Sequence, residues 1–291
     1  MYTYEQMQID IAQLAHEYPT TLMVSSIGTS ELGRDISALR IGNEDARFHV
    51  LFQGAIHGRE YTTAWLLMAL ADYWLKNDIQ SYGDVCYHII PMVNPDGVTI
   101  SQTSTLSIQQ EAIYQHDKEK GYTTLNKAEY AAAWKANGLG TDLNRNFSTG
   151  WESITTRDVA SSERYRGTSA FSAAETQCLR DYTLRYAFDA TISYHASGSI
   201  IYYEYGSNQA ANSESLSLAE SIKKLTGYPL ESSDGVDGAG YKDWAIDELG
   251  IPSLTIEIGC QDAPLAQREL YSVFVRNRNV LPEVARWLQT L

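Results

Sequence analysis

The sequence has few cysteines, few basic residues and no long apolar run. Cys86, Cys178 and Cys260 are the three cysteines in 291 residues, too few and too widely spaced for a disulfide framework or a CxxC metal knuckle. They read as buried or incidental thiols. No stretch approaches the roughly 18 consecutive apolar residues of a membrane-crossing helix. Met1 to Leu14 is polar and helix-patterned, without the basic and apolar regions of a signal peptide. That pattern favours a cytoplasmic location, with secretion open if the chain is a mature domain. Lys and Arg number 22 against 36 Asp and Glu, a net charge of −14. Such a surface repels phosphate backbones and argues against nucleic acid as a partner. Neither HExxH nor G-x-S-x-G occurs, so two common hydrolase signatures are excluded.

What is present is an ordinary globular composition, 44% hydrophobic and 20% charged. Met7, Ile9, Ile11, Leu14 and Ala15 recur at helical spacing over Tyr4 to Tyr18, and Pro19 stops that helix. Leu22 to Ile27 and Ile36 to Ile41 predict a hairpin around Gly28–Gly33. Phe48 to Gln53, Val85 to Val93, Ala187 to Tyr194, Ser199 to Tyr205 and Ser253 to Ile258 predict buried strands. Thr62 to Lys76, Leu216 to Leu225 and Leu281 to Leu291 predict helices. Asn94-Pro95-Asp96-Gly97 is a turn signal. Ser101 to Gly140 is polar and strandless, with an Ala-rich helical patch over Tyr122 to Asn137. Strands alternating with long helices predict an α/β fold, a mixed sheet covered on both faces. No repeat or linker divides the chain, so residues 1–291 are expected to form a single domain.

His57 and Glu60 stand where a buried strand gives way to a helix, the sheet edge at which α/β proteins bind ligands. The spacing alone carries little, because His116 and Glu119 repeat it inside the polar excursion, where it reads as solvated. A third donor changes the weight. His195, in Tyr194-His195-Ala-Ser-Gly198, also leaves a strand, and three protein ligands with one open position suit a catalytic zinc. Glu257 sits inside an otherwise apolar strand, where a carboxylate is expensive unless paired or lining a cavity. Beside zinc it could take a proton from water whose pKa the metal lowers. In Thr141-Asp-Leu-Asn-Arg-Asn-Phe147, Arg145 offers a bidentate fork for a carboxylate, Asn144 an amide, and Asp142 an acceptor for the second N–H of a zinc-binding imidazole.

The ordered set His57-Gly-Arg-Glu60, Asn94-Pro-Asp-Gly97, Asp142-Leu-Asn-Arg-Asn-Phe147, Tyr194-His195-Ala-Ser-Gly198 and Thr255-Ile-Glu257 resembles the zinc carboxypeptidase family. Gly28-Thr-Ser-Glu-Leu-Gly-Arg-Asp-Ile36 is similar to that family's early hairpin. The resemblance implies a single α/β domain with a mixed, mostly eight-stranded sheet. It implies one Zn²⁺ held by His57, Glu60 and His195, Glu257 as catalytic glutamate, and Asp142 behind His57. Asn144 and Arg145 would clamp a terminal carboxylate, with Arg59 lining a neighbouring subsite. Family members usually place an arginine after a tryptophan upstream of the Asn-Arg pair; here Lys135 follows Trp134, giving charge without the fork. A mobile tyrosine of the animal enzymes would fall near Gly235, and none is carried over; Tyr241 does not align.

Trp134-Lys-Ala-Asn137, Gly240-Tyr-Lys-Asp-Trp244 and Ile200-Ile-Tyr-Tyr203 are most similar to bacterial members that cleave γ-D-glutamyl-diaminopimelate bonds in cell-wall peptides. Lys242, before the Asp-Trp pair, is then expected to read an acidic group such as a second carboxylate. The expected partner is a peptide or muropeptide substrate. The rival functions are general trimming of protein C-termini and a non-catalytic peptide-binding role.

Overall fold

The computed structural model describes residues 1–79, 83–232 and 238–291. Eight strands form one mixed sheet: β1 (Leu22–Thr29), β2 (Asp35–Ile41), β3 (Phe48–Gln53), β4 (Val85–Ile90), β5 (Ala190–Ala196), β6 (Ile200–Tyr202), β7 (Leu230–Glu231) and β8 (Ser253–Ile258). Their order across the sheet is β1-β2-β4-β3-β5-β8-β6-β7. The central strands β4, β3, β5 and β8 run parallel. Antiparallel pairing of β2 with β4 and of β6 with β8 completes the mixture. The expected hairpin is the β1–β2 pair.

Period-two alternation divides the two faces. Val50, Phe52, Tyr87, Ile89, Ile192, Tyr194, Leu254, Ile256 and Ile258 enter the larger core. That core is shared by α1 (Tyr4–Glu17), α2 (Thr62–Lys76), α7 (Gln209–Thr226), α9 (Leu270–Asn277) and α10 (Val280–Leu288). Ile36, Ala38, Leu51 and Ile90 face the other way, against α6 (Ala174–Tyr186) and α8 (Tyr241–Asp247). This second face also carries polar pairs, Gln53 with Ser193 near the carboxyl end of β3 and Thr191 with Ser253 at the amino ends of β5 and β8.

Two expectations are corrected. Asn94-Pro-Asp-Gly97 opens a helix, α3 (Pro95–Thr103), instead of forming a bare turn. Asn94 caps it by accepting from the Gly97 N–H, and proline at the first helical position lacks the N–H that a helix start leaves unpaired anyway. The polar excursion holds α4 (Ile108–Glu119) as well as α5 (Lys127–Ala132). Both begin in reciprocal capping boxes, Ser107 with Gln110 and Asn126 with Glu129. The helix expected over Leu281 to Leu291 is α10, and α9 precedes it over residues for which no helix was expected. His116 and Glu119 lie on α4, away from any strand end, with Glu119 exposed. Among the described helices none is long and apolar enough to cross a membrane.

Candidate active site

Chain order places the site. From β3 the chain passes through α2 to β4 on one side, while β5 flanks β3 on the other. Ligands bind in such a crevice, beyond the carboxyl ends of parallel strands whose connections diverge. His57 leaves β3 and caps a 3-10 turn, Gly58–Glu60, that leads into α2. His195 is the penultimate residue of β5, and its register partner on β8 is Glu257.

The side chains of His57, Glu60 and His195 converge, each offering a ligand atom within 4.8 Å of the others. One carboxylate joins both rings: Glu60 Oε1 lies 2.9 Å from Nδ1 of His57, and Oε2 lies 3.0 Å from Nδ1 of His195. The Ala196 N–H also donates to Oε2. On the far side of the His57 ring, Nε2 meets Asp142 Oδ1 at 3.2 Å, and the other Asp142 oxygen accepts from the Arg164 N–H. Burial alone would lower the His57 pKa. The Glu60 and Asp142 charges and hydrogen bonds overcome it and push the imidazole up to about 9. Burial also works against ionised Glu60 and Asp142, yet the facing imidazoles hold both carboxyls below the usual range. Around His195 burial prevails over the Glu60 carboxylate, and the pKa is lowered.

Two imidazole nitrogens and a carboxylate, all buried, are the donor set of a catalytic zinc. Glu257 completes the centre. Its Oε2 is buried with no hydrogen-bond partner among the described residues. Burial, then repulsion from Glu60, raises its pKa to about 8 against the opposing charges of His57, Lys135 and Arg59. An ionisable oxygen left orphaned toward a metal-ligand cluster fits a proton carrier better than a structural acid.

The surrounding loops are held by contacts to the backbone. Asn94 Nδ2 donates to the carbonyls of Ile56, Lys135 and Ala136, tying the turn after β3 to the Lys135 segment. Gly58 N–H and Arg59 N–H donate to the carbonyls of Lys135 and Trp134. A Cβ on Gly58 would stand 2.4 Å from the Gly97 carbonyl, so the turn and α3 need glycine there. Leu143 and Phe147 anchor a second 3-10 turn, Leu143–Arg145, in the core against Tyr241 and Trp244. Asn146 locks it, donating to the Arg166 and Ser169 carbonyls and accepting from Ala173 N–H and Thr176 Oγ1. Sequence reasoning left Asn94 and Asn146 without a role, because their partners are carbonyls and amides that only the fold assembles.

Between those anchors Asn144 and Arg145 remain partly open. Asn144 Oδ1 accepts from the Tyr241 N–H, which leaves its amide N–H₂ as donor. Arg145 gives one N–H to the Asn144 carbonyl, and its Nε, like that of Arg59, is buried without a partner among the described residues. Among the described residues the Lys135 ammonium takes no hydrogen-bond partner, while its charge reaches both Glu257 and His195. Lys242 differs. Its ammonium is buried and spends two N–H donors, on Asp243 Oδ1 at 2.7 Å and the Glu204 carbonyl at 2.8 Å. Tyr241 is buried with its hydroxyl 3.0 Å from Thr183 Oγ1, and Gly235 lies outside the described residues.

A single α/β domain carrying this donor set defines a metallopeptidase. Residues 7–286 match the zinc carboxypeptidase family, and the chain belongs to it. The chain is therefore a zinc-dependent peptide hydrolase. Gamma-D-glutamyl-L-diamino acid endopeptidase 1 of Lysinibacillus sphaericus is 30% identical over 287 residues, covering 94% of this chain and 69% of that protein. Carboxypeptidase B of Astacus astacus is 24% identical, with 88% and 85% covered. Bovine thrombin-activatable fibrinolysis inhibitor, solved with a tick carboxypeptidase inhibitor, has the same fold at a TM-score of 0.77, 20% identity and 99% and 98% coverage.

Proposed function

We propose that the chain hydrolyses a peptide bond near a free C-terminal carboxylate in bacterial cell-wall peptides, of the γ-D-glutamyl-diaminopimelate type. The catalytic part is carried by the partnerless Glu257 Oε2 beside the His57–Glu60–His195 cluster. The substrate part is supported by the diamino acid endopeptidase relative, alike over 94% of this chain. His57, Glu60 and His195 hold the ion. Zinc bound there supplies an acidified water and polarises the scissile carbonyl.

The protein's own groups do the rest. Arg145 and the Asn144 amide grip the terminal carboxylate and so fix which bond is cut. Glu257 accepts the proton of the attacking water and returns it to the leaving amine. Lys135 places its ammonium near the oxygen that becomes negative, a point charge where a guanidinium would give two directed bonds. Arg59 lines the adjacent subsite, and Lys242 offers its one uncommitted N–H to a second carboxylate. Asp142 keeps His57 in the tautomer that turns Nδ1 inward.

General trimming of protein C-termini is the second reading, supported by Lys242 being already neutralised by Asp243. Mass spectrometry of products from defined stem peptides and ordinary L-peptides, with and without chelator, separates the two. Chelator-sensitive cleavage at the γ-D-glutamyl bond is expected; cleavage of L-peptides alone would reject the cell-wall assignment.

A further inference from the structure

Three more side chains converge away from the hydrolytic centre. His49 lies on β3, Cys86 and His88 on β4, and the parallel register sets His49 beside Cys86 with His88 two residues on. All three leave the sheet on the α6 face, since they alternate with Val50, Tyr87 and Ile89 of the larger core. Nδ1 of His49 faces Nε2 of His88 at 3.0 Å. One nitrogen from each ring and the Cys86 sulfur lie within 4.8 Å of one another. Cys86 and His88 are fully buried, while His49 is half-buried and gives the cluster an edge toward solvent.

The surroundings orient this cluster as they would a metal site. Tyr182 Oη stands 2.8 Å from the outward Nδ1 of His88, which fixes the ring with Nε2 toward His49. Rings of Tyr186 and Phe188 pack on His88 with centroids 4.5 and 4.9 Å away and shut out water. Arg40, the register partner of His88 on β2, is matched by Glu44 at 2.6 Å. From His49 the strand runs four residues, roughly 13 Å, before it reaches Gln53 and the turn to His57. The two clusters therefore occupy opposite ends of β3.

Two uncharged imidazoles and one thiolate make a soft donor set with a single negative charge. A monovalent thiophilic ion would leave this largely buried pocket neutral, whereas a divalent ion would leave a net positive charge near Arg40. We propose that His49, Cys86 and His88 form a second metal site that takes one soft monovalent cation of the Cu(I) class as a three-coordinate N₂S complex. On binding, the Cys86 thiol releases its proton to solvent as the ion enters, so net charge in the pocket is unchanged and no electron is transferred.

The test uses the whole chain with one equivalent of zinc already bound. Cu(I) is then added anaerobically in competition with bicinchoninate, and bound metals are counted by native mass spectrometry. Wild type and the double variant Cys178→Ser/Cys260→Ser should each gain one copper while keeping their zinc. Cys86→Ser, Cys86→Ala and His49→Ala should bind Cu(I) roughly 100-fold more weakly, with zinc content and peptide hydrolysis unchanged. Copper-edge absorption should show two nitrogen neighbours and one sulfur. No copper uptake by wild type, uptake unchanged in the Cys86 variants, or uptake lost with Cys178 and Cys260 would overturn the assignment.

Discussion

Glu60 and Glu257 are both carboxylates beside the same two imidazoles, and their environments set them to opposite tasks. Glu60 is surrounded by donors and stays ionised, as a ligand must. Glu257 has an orphan oxygen and a pKa raised to about 8 by burial and by Glu60, a charge that bound zinc would offset. Replacing Glu257 by Gln should leave one zinc per chain and lower kcat by about 10²–10⁴-fold. Metal analysis beside a hydrolysis assay checks this, and full activity in the variant would remove Glu257 from the mechanism. Asp142→Asn should weaken zinc about 10–100-fold in chelator competition, because the second ring nitrogen of His57 loses its charged acceptor. Unchanged affinity would mean that Asp142 is there for the Arg164 amide alone. At this scale the sequence was most legible for residues whose chemistry resides in the side chain. A histidine at a strand exit or a glutamate in an apolar strand is visible before folding. Asn94, which serves four backbone groups from three segments, is not.

The elements were read best where one physical signal dominated. Phe48–Gln53, Thr62–Lys76 and Ser253–Ile258 coincide with β3, α2 and β8, since buried runs bounded by polar residues leave little choice of length. β4 ends at Ile90, short of Val93, because Pro91 cannot donate to a ladder. The helix α4 escaped notice although Ser107-x-x-Gln110 is a capping signal; its polar outer face masks the apolar pair Ile113 and Tyr114. Close contact between elements supports the site. Gly58→Ala should push the ligand turn off α3 and weaken zinc binding, which isothermal titration would register; wild-type affinity would show that the turn can shift freely. Glu175, in the first turn of α6, accepts from Asn137 and the Glu31 N–H in a buried pocket. Burial raises its pKa from 4.5 to about 7. The folded state thus holds this proton more tightly than the unfolded one, and stability declines as pH rises from 4.5 through 7. The span is roughly 3 kcal/mol. Urea unfolding of wild type and Glu175→Gln from pH 4 to 8 should show a difference that grows in favour of the variant across that window; parallel curves would contradict it.

At the scale of the molecule, a chain of net charge −14 concentrates Arg59, Lys135 and Arg145 around one crevice. Such local cations would draw in the carboxylate-bearing substrate proposed above, which the rest of the surface repels. A mixed sheet covered on both faces was legible because strands and helices alternate, whereas its eight strands came from the family likeness, not from periodicity. The ligand cluster gathers residues more than 130 positions apart, so zinc should stabilise the folded chain as a whole. At a hundredfold excess over Kd the gain is about 2.7 kcal/mol, visible as a chelator-reversible rise in Tm. The most direct measurement is anomalous diffraction at the zinc edge from crystals of the zinc-loaded protein. An ion bonded to Nδ1 of His57, a Glu60 oxygen and Nδ1 of His195, each at about 2.0–2.2 Å and open toward Glu257, is the predicted result. An ion seated elsewhere, or bound through the Nε2 atoms with Glu60 turned away, would contradict it.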